Sequence, residues 1–212
     1  MLSFFIGGIM ERSLILLNAV LIAIFLIIGI MVRGSKEGII FDQFIMEYIH
    51  DKVTPSGIKV MKKITYLGSA YFFILMGIMI LLYMLKGKRK REIYLLFLST
   101  IGSYGLNVIL KNIFIRTRPL EFFLIEQGGY SFPSGHAMVS MTFYSTMTYL
   151  ITRKINNRGL KTMIWLLNFI IIALIGLSRI YLGVHWPTDV LMGFIVGLIF
   201  THGSIKTMRS NK

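Results

Sequence analysis

The 212-residue sequence contains no cysteine, so it has no disulfide framework, no thiolate nucleophile and no cysteine-ligated metal site. It also lacks internal repeats, low-complexity tracts and linkers rich in proline, glycine or serine. These absences predict a single domain over residues 1–212. The first apolar stretch has no small-residue cleavage site and is long enough to cross a bilayer, which predicts a retained helix and not a signal peptide.

Apolar residues are abundant: they make up 55% of the chain, above the roughly 45–50%, glycine included, of typical soluble domains. The formal net charge is +14, from 23 basic and nine acidic residues. Such a charge would favour a nucleic-acid partner, but the basic residues form short clusters between long apolar runs. The composition therefore predicts a membrane protein whose partners are anionic lipids, with no nucleic-acid partner.

The apolar runs predict an all-α, polytopic fold, because a membrane-crossing helix needs about 20 mostly apolar residues. Six segments are candidates: 14–32, 66–85, 93–113, 136–151, 162–181 and 187–200. The fourth and sixth are the shortest, and both carry polar motifs at their ends. We expect a bundle of six transmembrane helices.

The distribution of lysine and arginine predicts the orientation of this bundle. If the N-terminus is cytoplasmic, the cytoplasmic side holds more than half of the 23 basic residues. These lie at Arg12, in the run 86–91, in the loop 153–161 and in the tail from Lys206 onward. We therefore expect both termini in the cytoplasm and the polar motifs on the extracytoplasmic side.

The long segment between the first two predicted spans, residues 33–63, has the pattern of an amphipathic helix. Its apolar residues recur at helical spacing, namely Phe41, Phe44, Ile45, Tyr48, Ile49 and Val53. Polar residues fill the opposite face, namely Asp42, Gln43, Glu47, His50 and Asp51. Pro55 is expected to end this helix. It is either an interfacial helix beside a lipid entry route or a helix that packs on the bundle.

Three polar clusters interrupt the apolar pattern, all on the predicted outer side. The first is KNIFIRTRP, from Lys111 to Pro119. Lys111 and Arg118 would share one helical face if the helix continued that far, and Pro119 favours a break. Taken alone, Lys111 and Arg116 are typical of cations that extend toward lipid headgroups.

The second cluster is PSGH, from Pro133 to His136, at the start of the fourth predicted span. Proline and Ser134 suit the start of a helix, and Gly135 lets the backbone approach a ligand closely. The unpaired N–H groups of a helix N-terminus can bind an anion such as phosphate. Taken alone, an ordinary capped helix would also explain this string.

The third cluster is SRIYLGVHWPTD, from Ser178 to Asp189. A helix that begins near Pro187 could bring the Asp189 carboxylate to the His185 imidazole. The carboxylate would fix the tautomer and leave the other ring nitrogen free to attack. A lone histidine or aspartate at a membrane edge can simply satisfy its neighbours, but the pair lies beside Arg179 and accompanies two other clusters.

Together these strings resemble the signature of the type-2 phosphatidic acid phosphatase superfamily, KxxxxxxRP, PSGH and SRxxxxxHxxxD. Every signature position matches between Lys111 and Asp189. The resemblance implies an integral membrane hydrolase that removes phosphate from lipid phosphates or diphosphates through a phosphohistidine. Undecaprenyl diphosphate is the first expected substrate, and phosphatidylglycerophosphate or phosphatidate is the next.

The resemblance also assigns roles to individual residues. The expected phosphate-binding residues are Lys111, Arg118, Ser134, Gly135 and Arg179. The expected catalytic residues are His185 as nucleophile, Asp189 as its orienting partner and His136 as general acid. Because cations can neutralise the charge that Mg²⁺ neutralises elsewhere, we expect no metal and no other cofactor.

Other interpretations stay open from the residues alone. Vanadate-dependent haloperoxidases share this oxyanion site, but they are soluble, and six apolar spans argue against them. A phosphatase for sugar phosphates could also use an outward-facing site. From a different class, a transporter or scaffold could bind an anionic lipid through intramembrane cations, but it would need no nucleophile, orienting partner and acid. The sequence does not indicate an oligomeric state.

Overall fold

The computed structural model describes residues 2–87 and 90–210, with side chains from Ser13 onward except at 84, 86 and 208–210. Its helices are α1 (Leu2–Val32), α2 (Ile40–His50), α3 (Pro55–Tyr66), α4 (Ala70–Lys86), α5 (Lys90–Phe114), α6 (Gly135–Thr152), α7 (Arg158–Tyr181) and α8 (Pro187–Ser210). A short 3₁₀ helix, Leu120–Phe122, lies between α5 and α6. No β-strand occurs in residues 2–87 and 90–210, so the all-α prediction is confirmed for them.

Four helices are long and apolar enough to cross a membrane, namely Ser13–Val32, Lys90–Phe114, Arg158–Tyr181 and Pro187–Thr207. A fifth crossing results if α3 and α4, which are bent by 41° at a short break, form one span. The second predicted span therefore begins later than expected, because residues 67–69 separate these two helices. The chain is an all-α membrane protein with four or five candidate spans, and the count of six stays a prediction.

The helix α6, which matches the fourth predicted span, is not among these candidates because it is unusually polar. It packs against α5, α7 and α8, so protein surrounds most of it. Buried hydroxyl groups of α6 bond to α5: Thr142 Oγ1 donates to Ser103 Oγ at 3.0 Å, and Thr146 Oγ1 donates to Ser99 Oγ at 3.3 Å. Buried hydroxyls that find partners in this way are tolerated inside a membrane bundle.

Two glycines of α8 allow α6 and α8 to approach closely. A Cβ atom at Gly193 would lie 2.7 Å from the carbonyl oxygen of Ser134, and one at Gly197 would lie 2.6 Å from that of Met138. Small residues four apart are the usual means by which membrane helices pack backbone against backbone. The contact brings the second and third motifs together, since the Ser134 N–H donates to the Asp189 carbonyl at 2.9 Å.

An aromatic cluster supports the end of the bundle that carries the motifs. Phe25 of α1 stacks on Phe132, with ring centroids 5.5 Å apart, and Phe114 of α5 meets Phe132 edge-on at 5.1 Å. Met138 and Met192 complete the buried part of this cluster. The helices α1 and α5 therefore hold the residues that precede Ser134 in place.

The segment 33–63 contains the whole of α2 and most of α3, where the sequence predicted one helix. The helix α2 ends at His50, and Pro55 begins α3, where the Thr54 side chain accepts a hydrogen bond from the Gly57 N–H at 3.1 Å. Proline at the first position of a helix is favourable because its missing N–H would have no partner there. The prediction that Pro55 ends a helix was therefore wrong, and α3 was missed.

The helix α2 also turns a different face to the protein than its pattern predicted. Asp42 and Met46 are fully buried against the bundle, whereas Ile40, Phe44 and Tyr48 are exposed. The pattern placed Asp42 on the polar face opposite the apolar residues, but it is this residue that packs against the bundle, with its carboxylate bonded inside the protein. Packing of α2 on α7 and α8 agrees with the second interpretation of this helix; its location in the membrane interface stays a prediction.

Part of the charge pattern that predicted the orientation cannot be followed in space. Outside the described side chains lie Arg12, Lys86, Lys88, Arg89, Arg209 and Lys212. At the end of the bundle opposite the motifs, Arg153 pairs with Glu92. The cytoplasmic location of that end stays a prediction.

Candidate active site

Four helix ends meet at the site and carry the three motifs. Lys111 lies in the last turn of α5, His136 in the first turn of α6, Arg179 in the last turn of α7 and Asp189 in the first turn of α8. His185 lies in the short connection between α7 and α8. The structure thus places the predicted site residues at one end of the bundle.

His185 and Asp189 are in contact, as their spacing predicted. The helix α8 begins at Pro187, which places the Asp189 Oδ2 atom 3.3 Å from the His185 Nδ1 atom. The backbone N–H of Trp186 donates to the same oxygen at 2.9 Å. Both side chains are buried, with 2% of His185 and 0% of Asp189 exposed. The carboxylate is therefore held in one orientation toward the ring.

The contact on the other side of the ring fixes its tautomer. The Nη1 atom of Arg118 lies 3.1 Å from the His185 Nε2 atom. A guanidinium group can only donate, so Nε2 accepts through its lone pair and Nδ1 carries the proton that faces Asp189. This is the tautomer in which Nε2 is available for nucleophilic attack.

The surroundings also keep His185 uncharged. Burial lowers the pKa of His185 well below its ordinary value of 6.5, and the nearby charges of Arg118, Lys111 and Arg179 lower it further. Burial lowers the pKa of Arg118 to about 10, which leaves the guanidinium charged at neutral pH. The site therefore combines a neutral imidazole with a fixed cation beside it.

Arg118 is not on the helix that carries Lys111. The helix α5 ends at Phe114, and Ile115 adopts a left-handed conformation with φ of 45° that turns the chain. A shared helical face was therefore the wrong explanation for the spacing of Lys111 and Arg118. The Arg118 Nε atom donates to the Gly129 carbonyl at 2.9 Å, and Nη1 donates to the Val184 carbonyl at 2.6 Å.

Lys111 points into the protein and not toward lipid headgroups. Its Nζ atom donates to the carbonyl oxygens of Tyr130 and Ser131, the latter at 3.1 Å. Arg118 also donates to the Tyr130 carbonyl, at 3.2 Å. The two cations thus hold the loop before PSGH from both sides and place positive charge beside His185.

Arg179 is held by two residues that the sequence did not single out. Its terminal nitrogens donate to Thr65 Oγ1 at 2.7 Å and to Gln127 Oε1 at 2.8 Å. Its Nε atom is buried and has no hydrogen-bond partner among the described residues. Gln127 could have been suspected as a polar residue in the loop before PSGH, whereas nothing in the pattern around Thr65 distinguished it.

Ser134 and Gly135 lie at the start of α6, as the PSGH string predicted. Gly135 was expected to let the backbone approach a ligand, but in the structure it makes room for a neighbouring side chain. A Cβ atom at Gly135 would lie 2.9 Å from Asn107 Oδ1, so the glycine permits packing on α5. Asn107 Nδ2 donates to the Pro133 carbonyl at 3.1 Å and so fixes the start of PSGH. The Ser134 hydroxyl is buried and has no protein partner in the described part of the chain. Asn107 was missed, although a buried amide one turn before Lys111 is a detectable signal.

His136 faces the break between α3 and α4. A Cβ atom at Gly68 in that break would lie 3.0 Å from the His136 Cδ2 atom. The charge of His136 also acts on the pKa of His185, so the two imidazoles share one site. The two histidines that the signature selects are thus brought together, and α3 with α4 closes one side of the site.

Arg116 has a role that the sequence did not predict. It is fully buried and donates to Asp42 Oδ2 at 2.6 Å, to Asp189 Oδ1 at 2.8 Å and to Thr188 Oγ1 at 2.7 Å. The interpretation of Arg116 as a cation that extends toward headgroups was wrong. The missed partner was Asp42, which the amphipathic pattern had assigned to the polar face of its helix.

The acidic groups near the site are committed to other contacts. Asp42 and Asp189 both accept hydrogen bonds from Arg116, and no group of three or more histidine, cysteine or acidic side chains in the described residues is placed to hold a metal ion. Near the site, the buried polar atoms that lack a partner among the described residues include the Ser134 hydroxyl and the Nε atoms of Arg116 and Arg179, all of which can donate. Donors and cations of this kind suit an oxyanion.

Residues 92–212 match the family described as the PAP2 superfamily. The chain belongs to the PAP2 superfamily. This confirms the resemblance that the three motifs carry. Among its PAP2 relatives, phosphatidylglycerophosphatase B from Bacillus subtilis is 35% identical over 147 residues, which cover 66% of this chain and 70% of that protein. An undecaprenyl-diphosphatase from Sulfolobus acidocaldarius is 29% identical over 187 residues, or 84% of each chain.

The fold of this PAP2 chain is also similar to that of a solved membrane protein. The crystal structure described as the first transmembrane PAP2 type phosphatidylglycerolphosphate phosphatase from Bacillus subtilis superposes with a TM-score of 0.84 and 28% identity. The match covers 92% of this chain and 97% of that structure. The chain therefore has the architecture of a membrane PAP2 protein.

Proposed function

We propose that this protein is an integral membrane lipid phosphatase that hydrolyses lipid phosphates or diphosphates with His185 as its nucleophile. The observation that carries the proposal is the state of the His185 ring. Its Nε2 lone pair is directed at the guanidinium of Arg118, and its Nδ1 proton is directed at Asp189. A nucleophile, an orienting carboxylate and a cation for the phosphoryl oxygens are thus adjacent.

In the first step, Nε2 of His185 attacks phosphorus while the bond between phosphorus and the lipid oxygen breaks. Arg118, Lys111 and Arg179 bind the phosphoryl oxygens, and Arg118 exchanges its contact with Nε2 for one of them. The guanidinium groups can each bind two oxygens, which favours the planar transition state. The donors that lack protein partners, Ser134 Oγ and Arg179 Nε, support an oxyanion at this place.

Proton transfer accompanies both steps. His136 donates a proton to the lipid oxygen that leaves, which for a diphosphate is the oxygen of a lipid monophosphate. In the second step, His136 removes a proton from water as the water attacks phosphohistidine, and the bond between phosphorus and Nε2 breaks to release inorganic phosphate. The position of His136 in the first turn of α6, close enough for its charge to act on the pKa of His185, supports this assignment.

Catalysis is proposed to need no metal ion. The positive charge that surrounds His185 comes from Lys111, Arg118 and Arg179, each of which is close enough to lower its pKa. Such fixed cations, aimed at the phosphoryl oxygens, can neutralise the charge that a divalent ion neutralises in other phosphoryl-transfer sites.

Undecaprenyl diphosphate remains the first proposed substrate. The relative named undecaprenyl-diphosphatase matches over the larger share of this chain, 84%. Phosphatidylglycerophosphate is a second candidate, favoured by the 35% identity to phosphatidylglycerophosphatase B and by the TM-score of 0.84 to a related structure.

We also propose that α4 and α6 complete six crossings. Both termini then lie in the cytoplasm, and the site opens on the extracytoplasmic side. The short α6 can cross because α5, α7 and α8 cover its polar side chains. The exposed apolar side chains of α2 are proposed to lie in the headgroup layer beside the site.

The test is phosphate release by the purified protein in detergent with EDTA, from undecaprenyl diphosphate, phosphatidylglycerophosphate and phosphatidate in parallel. We expect release with the chelator present and a loss of at least roughly a thousandfold in His185→Ala. His202→Ala is the matched control, because His202 also lies on α8 but contacts Asn18 outside the site. It should retain activity.

The rank of the three rates identifies the substrate. Loss of release with EDTA that returns with a divalent ion would contradict the metal-free site. Equal release by wild type and His185→Ala would remove His185 as nucleophile. No release from any of the lipids would favour an anionic-lipid binding or transport protein of the same fold.

A further inference from the structure

Four buried side chains form a continuous chain of polar contacts that ends at His185. Asp42 contacts Arg116, Arg116 contacts Asp189, and Asp189 contacts His185. None of the four is more than 2% exposed. This series of contacts starts on α2, passes through the loop after α5 and reaches the first turn of α8. Three separate segments must therefore be in place for it to form.

Asp42 and Arg116 both act on the position of α8. One oxygen of Asp42 accepts from the Thr188 N–H at 2.9 Å, which satisfies an N–H of the first helical turn that has no partner within the helix. Its other oxygen accepts from the Thr188 hydroxyl at 2.8 Å and from Arg116 at 2.6 Å. Asp42 thus caps α8 from another helix, immediately before Asp189.

The charges of these four side chains determine the net charge beside the His185 imidazole. If Arg116 were paired with Asp189 alone, it would neutralise the carboxylate that faces His185. Asp42 takes the second side of the Arg116 guanidinium, so two carboxylates and one guanidinium leave a net charge of −1 beside the imidazole. The imidazole becomes positively charged when Nε2 bonds to phosphorus, and a net negative cluster stabilises that charge.

We propose that Asp42 is a positioning residue for catalysis that acts on His185 through Arg116 and Asp189. It holds the first turn of α8, and it keeps the buried cluster negative so that Asp189 can stabilise the charge that develops on His185. This inference rests on the proposed role of His185 as nucleophile. It goes further by assigning part of the orientation of His185 to a residue of α2, outside the motif region.

A purely structural ion pair is the competing explanation. Buried ion pairs are weak evidence for stability, because the cost of removing both charges from water can equal the attraction between them. The two explanations differ in what they predict for charge. A structural pair affects the amount of folded protein, whereas a positioning pair changes the rate of the chemical step and the protonation of His185.

The charge of Asp42 should be detectable through the pKa of His185. The titratable or charged groups that face His185 are Arg118 from the loop, Lys111 from α5, His136 from α6, Arg179 from α7 and Asp189 from α8. A negative charge favours the imidazolium form, so its removal lowers the pKa of His185. The free base then persists to lower pH, and the acid limb of kcat/KM moves to lower pH.

The test compares wild type with Asp42→Asn, which keeps an oxygen acceptor for Thr188 but removes the charge. With undecaprenyl diphosphate in detergent, we expect kcat to fall roughly 10- to 100-fold with little change in KM. The acid limb of kcat/KM should move to lower pH, and substrate ionisation cancels because it is common to both proteins. Asp42→Glu restores the charge and should recover activity relative to Asp42→Asn. Asp51→Asn, an exposed aspartate at the end of α2, should behave as wild type.

Arg116→Lys provides a second route if Asp42→Asn does not fold, because one ammonium group keeps the charge but cannot bridge both carboxylates as a guanidinium does. Folding is monitored by thermal unfolding in detergent, and we expect the same loss of kcat. Wild-type kcat in either folded variant would overturn the inference, and so would a loss of kcat in Asp42→Asn with the acid limb unmoved. Neither result affects the role of His185 as nucleophile, which is tested separately with His185→Ala.

Discussion

Gly183 shows how one residue sets the path of the connection that carries His185. It has a φ of 72°, in the left-handed region, and a Cβ atom there would lie 1.7 Å from the carbonyl oxygen of Phe122. Next to it, the Leu124 N–H donates to the Leu182 carbonyl at 3.1 Å. The 3₁₀ helix and the connection between α7 and α8 are therefore in backbone contact, which only a glycine permits.

Gly183→Ala should lower the free energy of unfolding by about 3 kcal/mol or more, because it combines a strained φ with a backbone overlap. Gly34→Ala is the matched control, since Gly34 has a φ of 65° but nothing within 4 Å of its Cβ position. It should cost only about 1 kcal/mol. Thermal unfolding in detergent measures both. Similar losses in the two variants would show that the contact with Phe122 is not required.

Local spacing made part of the site predictable at this scale. His185 and Asp189 are four residues apart at the start of a helix, and their contact follows from that spacing. The pairing of Asp42 with Arg116 joins residues 74 positions apart. This pairing depends on how α2 packs on the bundle, so no periodicity in the sequence could reveal it. The amphipathic pattern placed Asp42 on the polar face of α2, whereas the structure buries it.

At the scale of helices, the pair α6 and α8 determines the geometry between PSGH and the third motif. The close approach depends on Gly193 and Gly197, whose absent side chains face the backbone of α6. A shift of α8 along α6 would move Asp189 away from its contact with Ser134. Helix packing at these glycines is thus coupled to the distance between Ser134 and the pair His185 and Asp189, to which we assign phosphate binding and catalysis.

Gly197→Ala should destabilise the protein by about 1–3 kcal/mol, because a methyl group would overlap the Met138 carbonyl and the Met141 side chain. Gly203→Ala lies two turns further along α8, with nothing within 4 Å of its Cβ position. It should be neutral or slightly stabilising, since alanine is the better helix former. Equal unfolding temperatures for the two variants would contradict the packing role of Gly197.

Hydropathy predicted the helices whose surfaces are largely apolar and exposed, and it was a weaker guide for helices that other helices surround. Four long helices correspond to predicted spans. The central helix α6 tolerates polar residues because α5 provides partners for Thr142 and Thr146, so hydropathy alone underestimates this helix. The helix α3 was missed because it has no buried residues and carries lysines at 59, 62 and 63, and a surface helix of this kind leaves a weak apolar pattern.

At the scale of the whole molecule, the proposed function requires the site to face the extracytoplasmic leaflet. The two ends of the bundle are chemically distinct. One end carries the cations and histidines of the site, and the other carries the pair Arg153 and Glu92. The absence of cysteine from the sequence makes the orientation directly measurable, because an introduced cysteine would be the sole thiol.

Glu126→Cys and Asn156→Cys place single thiols at the two ends, both at exposed positions. A membrane-impermeant maleimide applied to intact cells should label residue 126, in the loop before PSGH. It should label residue 156, between α6 and α7, only after the membrane is permeabilised. The reverse pattern would place the site in the cytoplasm and contradict the proposal of an outer-leaflet substrate.

The most direct test of the central claim is to trap the phosphorylated enzyme. Wild type is mixed with lipid diphosphate that carries a radiolabelled terminal phosphate, quenched in base and digested. A phosphohistidine is stable in base and labile in acid, so we expect acid-labile label on the peptide that contains His185, and none in His185→Ala. Label on another residue, or continued turnover with no labelled enzyme, would contradict nucleophilic attack by His185.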